Sequence, residues 1–307
     1  MARERRGARL MLRPATTAEV AGLVRESAAT GCALRLRGAG TWLDAGHPVR
    51  ADATLSLDRL RGVVQYRPDD LTITVEAGTT LAELDDATRA HGQWCPLLPW
   101  GDDAGTVGAT LATATAGPFA ARLGRPRELV LGLDCVDGRG RAIAAGGRVV
   151  KNVAGFDLVR AVTGSWGTLA VITRAHLRLR ARPAADVTLA LEAPPDAPTV
   201  EAFARGPYAP LACVPLSADD AAALRLGDAR WLVRLGGNAA FVAAARGALE
   251  ALGPCTEADP RAWDAVRTRL APPPRALHWR WDELSRRLRA AFDPSRVLNR
   301  GLLGDPA

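Results

Sequence analysis

The stretch "RLRGAGTWLDAG" (residues 35–46) runs from an alternating segment straight into a Gly-Ala-Gly-Thr turn. Small residues in succession let backbone N–H groups converge, and converging N–H groups form a nest for an anion such as pyrophosphate. The pattern is not G-x-G-x-x-G and no clear helix follows, so the Rossmann fingerprint fails here. An ordinary tight turn uses the same residues. The rest of the chain decides between the two.

A second run of Gly, Ala and Thr, "DDAGTVGATLATATAG", occupies residues 102–117. Such residues allow backbone to approach a flat ligand, and threonine hydroxyls can bond phosphate or the edge of an isoalloxazine ring. A packed loop or a Gly/Ala-rich helix would read the same way. A third segment, "GSWGTLAVIT" (164–173), is a Gly-flanked turn entering a strand. The backbone of that strand can face an adenine edge. Two small-residue loops in one domain favour a dinucleotide site more than either does alone.

Composition narrows the class. The 307 residues, 48% of them hydrophobic, suffice for one large or two ordinary domains. Thirty Gly and 21 Pro oppose a helical bundle. Net charge is +7. The arginines are scattered, so the expected role of that charge is a solvated surface, with no nucleic-acid partner. The five cysteines, Cys32, Cys95, Cys135, Cys213 and Cys255, contain no C-x-x-C pair, which argues against an iron–sulfur or structural zinc site. An odd, dispersed set fits a reducing cytoplasm. No apolar h-region follows the basic start, and no run reaches a membrane span, so neither a signal peptide nor a transmembrane segment is expected. His47, His91, His176 and His278 lack metal-ligand spacing, and no metal site is expected.

Along the chain, Thr16-x-x-Glu19 reads as a capping box for a helix that Gly31 stops. "CALRLRG" and "TLSLDRL" follow as strands. "VVQYRPDDLTITVEAG" reads as a hairpin turning at Pro68-Asp69-Asp70. Thr80-x-x-Glu83 caps the next helix, through His91. "ELVLGLDCVDGRGRAIAAGG" is a second hairpin with Asp137-Gly138 at its turn, and "GTLAVITRAHLRLRARP" is a long strand. Residues from about 61 to 182 are therefore expected to form a mostly antiparallel sheet. After "ARPAAD" the pattern becomes a compact β-α-β-β-α unit. Pro272-Pro273-Pro274 breaks the chain, and a helix and loop then return towards the first domain. The cluster His278-Trp279-Arg280-Trp281 is read as packing, or as a wall facing a substrate or quinone.

The ordered set "RGAGT", "GTVGA…G", "KNVAGFDL", "GSWGTLAVIT" and "FDP…NRG" resembles the PCMH-type FAD-binding fold of the vanillyl-alcohol oxidase superfamily. Within it, "GGRVVKNVAGFDL" (146–158) is most similar to the FAD-binding E subunit of bacterial glycolate oxidase. The resemblance implies an α+β chain: a FAD-binding domain of two α/β subdomains (1–182), a short ferredoxin-like cap (183–275) and a C-terminal return segment (276–307). It implies that Arg37, Gly38, Ala39, Gly40, Thr41, Trp42 and Leu43 form the pyrophosphate loop. Gly105, Thr106, Val107, Gly108 and Thr110, with Ala116 and Gly117, would line the flavin and its phosphates. Val171 and Ile172 would meet the adenine end, and Asn299 would approach the flavin from the tail.

Some relatives tether FAD through a histidine in the pyrophosphate loop. Thr41 and Trp42 stand here instead, so non-covalent FAD is expected. Ala39 replaces the middle glycine of the usual R-G-G-G-T, and Asn-Arg-Gly replaces Asn-Pro-Gly in the tail. No nucleophile elbow is present. The resemblance further implies oxidation of a small 2-hydroxy acid, glycolate to glyoxylate. Electrons would leave through an iron–sulfur subunit, alongside a sister flavin subunit. The location would be cytoplasmic, or peripheral at the inner membrane through those partners. A stand-alone FAD oxidoreductase and a non-catalytic assembly subunit are the alternatives. Lys151 is the only lysine among 40 Lys+Arg residues. Either a compact ammonium is needed there, reaching the flavin pocket or Asp157 where a planar guanidinium would not fit, or the lysine was spared by chance from the arginine bias.

Overall fold

The computed structural model describes residues 10–147, 157–192, 197–271 and 282–304. Lys151 and the His278–Trp281 cluster lie outside the described residues. The first layer is built from β1 (Leu10–Leu12), α1 (Thr17–Thr30), β2 (Leu34–Arg37) and β3 (Ala53–Ser56), with the three strands parallel in the order β1-β3-β2. Helix α1 presents Val20 and Val24 to the core, both fully buried. Each contributes roughly 1.5–3 kcal/mol of burial. Its cap is a variant of the expected box. Thr16 Oγ1 accepts the Glu19 N–H at 3.1 Å, but the Glu19 carboxylate takes the N–H of Ala15, one residue before the cap. Gly31 ends the helix in the left-handed conformation, φ 73°.

The second layer contains β4 (Val63–Arg67), β5 (Thr72–Glu76), α2 (Leu81–Arg89), β6 (Gln93–Trp94), α3 (Val107–Thr113), α4 (Ala120–Leu123) and α5 (Pro126–Leu129). It continues with β7 (Val130–Asp137), β8 (Ala142–Gly146), α6 (Leu158–Val162), β9 (Ala170–Arg178) and β10 (Arg180–Ala181). Five strands form one antiparallel sheet in the order β4-β5-β9-β7-β8, while β10 pairs with β6. Both expected hairpins form, and Thr80 and Glu83 make a complete reciprocal capping box. In β9 the alternation buries Ala175 and Leu177 and leaves Arg178 at the surface. His176 departs from that pattern. It is half-buried and shares a 2.8 Å hydrogen bond with Thr74 Oγ1.

Beyond β10 come β11 (Ala185–Leu191), α7 (Ala197–Arg205), β12 (Ala212–Pro215), α8 (Ala218–Ala223), β13 (Trp231–Gly237), α9 (Ala239–Glu250), β14 (Cys255–Glu257) and α10 (Ala262–Arg269). The strand order β12-β13-β11-β14, with all neighbours antiparallel, is that of a ferredoxin-like unit. Strand β14 and the short α8 add to the β-α-β-β-α pattern read from the sequence. A shared core ties this sheet to the second layer. Trp263 packs on Phe119 with ring centroids 5.1 Å apart, and Trp94 and Leu123 join the same cluster. Arg267, 2% exposed, donates to the Pro99 carbonyl at 2.8 Å and pairs with Asp103 at 2.7 Å.

The chain then returns through α11 (Glu283–Phe292). Leu34 N–H donates to Val297 O at 2.7 Å and Asn299 N–H to Leu34 O at 2.9 Å, so the tail adds a short parallel pairing to the free edge of β2. Asp293 holds the turn that permits this, accepting the N–H groups of Val297 and Leu298 at 3.0 and 2.9 Å. No described helix is long and apolar enough to cross a membrane.

Candidate functional site

A cleft opens where the two layers meet the tail. Its walls are the end of β2 with the loop 37–43, one face of α3, the turn at Trp166-Gly167, the start of β9, and Asn299 and Leu302. It encloses about 780 Å³ counting its open mouth, within the usual range for a ligand cleft. The lining is mostly apolar, with Arg35, Arg37, Thr41, Thr106, Thr113 and Asn299 as its polar residues.

Close approach explains the small residues. A Cβ on Gly38 would meet Thr106 Oγ1 at 2.3 Å, and one on Gly108 would meet Ala77 Cβ at 2.7 Å. The loop therefore lies directly on the cap of α3, and α3 lies directly on the chain leaving β5. Three backbone bonds fix that second contact: Leu81 N–H to Gly105 O, Val107 N–H to Thr79 O and Gly108 N–H to Ala77 O, at 2.9, 2.9 and 2.8 Å. Thr106 caps the helix, accepting the Ala109 N–H at 3.3 Å.

The turn after α6 is locked in turn onto α3. Gly164 and Trp166 donate N–H groups to Leu111 O and Ala112 O at 2.9 and 2.8 Å. Trp166 sits at φ 57° and packs edge-on against Trp42, centroids 6.2 Å apart. Asn299, at φ 42°, bridges the end of β2 and this turn. Its Oδ1 accepts the Leu36 N–H and its Nδ2 donates to Trp166 O, both at 2.8 Å. Strand β9 offers an open edge here, because its pairing with β5 stops at Arg174 and Ala77 N–H takes Thr173 O. Val171 and Ile172 lie on that stretch.

The structure thus places Arg37, Gly38, Gly40, Thr41, Trp42, Leu43, Thr106, Gly108, Val171, Ile172 and Asn299 around one cleft. Ala39 sits beside them with its side chain exposed, and Gly40 takes the positive φ of 98°, so the middle position of this loop needs no glycine. Gly105 and Thr110 line an adjoining hollow with Thr41 and Trp42. Val107 is fully buried and faces the core rather than the cleft. Gly117 stands apart too, packed where a Cβ would meet Leu98 O at 2.2 Å, with Ala116 beside it in the chain. Ala109, inside the Gly105–Thr110 stretch read from the sequence, lines the cleft as well, while sequence reading missed Leu36, Ala112, Trp166 and Leu302. The helical period supplies the signal for Ala112, which shares a face of α3 with Ala109.

Residues 8–146 match a family described as FAD binding domain. That stretch is an FAD binding domain. Its cofactor is FAD. Glycolate oxidase subunit GlcE of Escherichia coli is 37% identical over 161 residues, covering 52% of this chain and 45% of that protein. D-lactate dehydrogenase of Archaeoglobus fulgidus is 35% identical over 171 residues, 55% of this chain and 38% of that one. Glycolate oxidase subunit GlcD of Bacillus subtilis is 31% identical over 154 residues, 50% of this chain and 33% of that one. The matches span less than half the length of these curated relatives. A solved structure of alkyldihydroxyacetonephosphate synthase superposes with a TM-score of 0.67 at 18% identity, covering 85% of this chain and 56% of the other, which establishes a common fold.

The residues present suit the cofactor of such a domain. Arg37 Nε is buried without a hydrogen-bond partner among the described residues, at the start of a loop that contains no carboxylate. A cation placed there matches a pyrophosphate. Gly38 and Gly40 line the cleft beside it, and backbone N–H groups in such a side-chain-free turn can face an anion.

Proposed function

We propose that the chain is the FAD-binding subunit of a 2-hydroxy-acid-oxidising complex of the glycolate oxidase type, acting with a sister flavin subunit and an iron–sulfur subunit. The observation that carries the proposal is the convergence of the Arg37–Leu43 loop, α3 and the β9 edge on one cleft. Similarity to proteins named as glycolate oxidase subunits and D-lactate dehydrogenase supports the substrate class.

In this reading Arg37 and the loop backbone hold the pyrophosphate, and the α3 face, Thr41 and Trp42 border the ring system. Val171 and Ile172 border the adenine end. Asn299 fixes the Leu36 and Trp166 walls rather than spending its amide on the ligand. Thr41 and Trp42 offer no imidazole for a covalent link, so binding is non-covalent. Bound FAD supplies a two-electron acceptor. The protein supplies position and excludes water through the Trp42–Trp166 pair. The described residues lining the cleft include neither a histidine nor a carboxylate to accept a substrate proton. That supports substrate oxidation in the sister subunit, with this chain passing electrons. Residues 1–182, 183–275 and 276–307 are proposed as FAD domain, cap and return segment.

Anaerobic addition of glycolate and D-lactate to the FAD-loaded chain, alone and with co-expressed partner subunits, tests the proposal. Bleaching of the flavin band only with partners present is the expected result. Rapid turnover by the isolated chain would establish a stand-alone oxidoreductase instead.

A further inference from the structure

A second concavity lies on a different surface, at the seam between the five-stranded sheet and the ferredoxin-like sheet. Three guanidiniums line it: Arg122 on α4, Arg178 at the end of β9 and Arg180 on β10. All three are exposed, and none makes an ion pair or hydrogen bond among the described residues. Among the described residues, no carboxylate lines the groove. Other exposed arginines are neutralised by a carboxylate, as Arg61 is by Glu83 and Arg205 by Glu201. A fourth unpaired cation, Arg67, stands across Thr72 from Arg178 in the sheet register.

Between these charges the walls are apolar. Leu71, Leu123 and Leu211 flank the groove, and Gly236 and Gly237 at the end of β13 complete its wall. The groove occupies about 1250 Å³ counting its mouth. We propose that it docks an acidic, extended segment of a partner protein, with carboxylates meeting Arg122, Arg178 and Arg180 and an apolar side chain between Leu71 and Leu211.

Charge selects this occupant over the others. A second copy of the chain would bring a net +7 against a basic groove. A nucleic-acid strand would find no stacking platform among the described residues, because Trp94, their one aromatic side chain in the lining, is 5% exposed. A small free anion would meet three exposed guanidiniums on separate elements, each competing with water. The inference is independent of the flavin reading, since groove and cleft share no lining residue.

The test is fluorescence anisotropy on the FAD-loaded full chain, with a labelled peptide alternating Glu and Leu. A Lys/Leu peptide and a thymidine oligonucleotide of equal length serve as comparisons. Arg122→Glu, Arg178→Glu and Arg180→Glu together, and each alone, are set against reversal of three other unpaired exposed arginines, Arg225, Arg230 and Arg287. The expected result is roughly tenfold weaker binding of the acidic peptide on reversing the groove, little change on reversing the other three, and unchanged flavin content in both. Equal weakening by the two triple variants would overturn the proposal in favour of bulk charge. Tighter binding of the oligonucleotide, or no binding of the acidic peptide at low salt, would overturn it as well.

Discussion

Asn299 and Leu36 are separated by 263 positions, yet the Asn299 carboxamide oxygen accepts the Leu36 N–H at 2.8 Å while its amide nitrogen donates to the Trp166 carbonyl. One side chain thereby ties the end of β2 to the Trp166 turn, both of which line the cleft. Asn299 is also 6% exposed and left-handed, a conformation that asparagine tolerates better than most residues. Asn299→Ala strands the Leu36 N–H and the Trp166 carbonyl, and the expected loss of stability is about 1–3 kcal/mol. Asn299→Asp keeps the acceptor and loses the donor. It should retain the β2 contact and release the Trp166 turn. Urea unfolding of both variants, beside an FAD titration, checks this. Alanine should weaken FAD binding more than aspartate does.

The closest contact in the site gives a second prediction. Gly38 has no room for a side chain, because Thr106 Oγ1 stands 2.3 Å from the position of its Cβ. Gly38→Val pushes the loop off α3. Overpacking of this kind costs roughly 1–3 kcal/mol, and the expected FAD affinity falls by at least tenfold. Gly31→Ala, at the end of α1 and away from the cleft, lowers stability through its positive φ alone. It should leave FAD affinity unchanged. Isothermal titration of the two variants separates the effects.

Burial also predicts the pattern of thiol reactivity. Desolvation pushes the Cys95, Cys135 and Cys213 thiols up to about 12. At neutral pH each then carries on the order of 1,000-fold less thiolate than a free cysteine. Iodoacetamide followed by mass mapping should label these three only after the protein is unfolded. Labelling of Cys95 in the native protein would contradict the packing around β6.

Asp293 links pH to the tail. Desolvation raises its carboxyl above the ordinary range, against the lowering effect of the Leu298 and Val297 N–H groups. The folded state therefore holds that proton more tightly than the unfolded chain does. This contribution to stability is fully present below the ordinary carboxylate pKa and is lost as pH rises through the raised value. Asp293→Asn removes the titration, so the dependence of unfolding free energy on pH should flatten across that window. Urea midpoints measured at closely spaced pH values from about 4 to 7 report the slope. An unchanged slope would assign the titration elsewhere.

Local chemistry made much of this fold legible. Pro68-Asp69-Asp70 and Asp137-Gly138 marked real hairpins, and Thr80 with Glu83 marked a real helix start. What stayed hidden was short or long-range. Strands Leu10–Leu12 and Cys255–Glu257 are three residues each, too brief for a period to show. The parallel pairing of β1, β3 and β2 joins segments tens of residues apart and leaves no local mark. In the site, the small-residue run 102–117 announced close packing without saying which side faces the ligand. The structure resolves it through α3, where Val107 and Leu111 enter the core while Gly108, Ala109 and Ala112 turn to the cleft. Trp166 was hidden because its place depends on hydrogen bonds to α3 and to a residue of the tail.

The central claim is that the cleft between the Arg37–Leu43 loop and α3 holds FAD. Its most direct measurement is FAD binding by the purified chain, followed by the visible absorption band and by tryptophan quenching, in wild type and in Gly38→Val. The account predicts a yellow protein, or one that takes up added FAD stoichiometrically, with Trp42 and Trp166 quenched and with uptake lost in the variant. A colourless wild-type protein that takes up no added FAD, or a Gly38→Val chain that binds FAD as tightly as wild type, would contradict it.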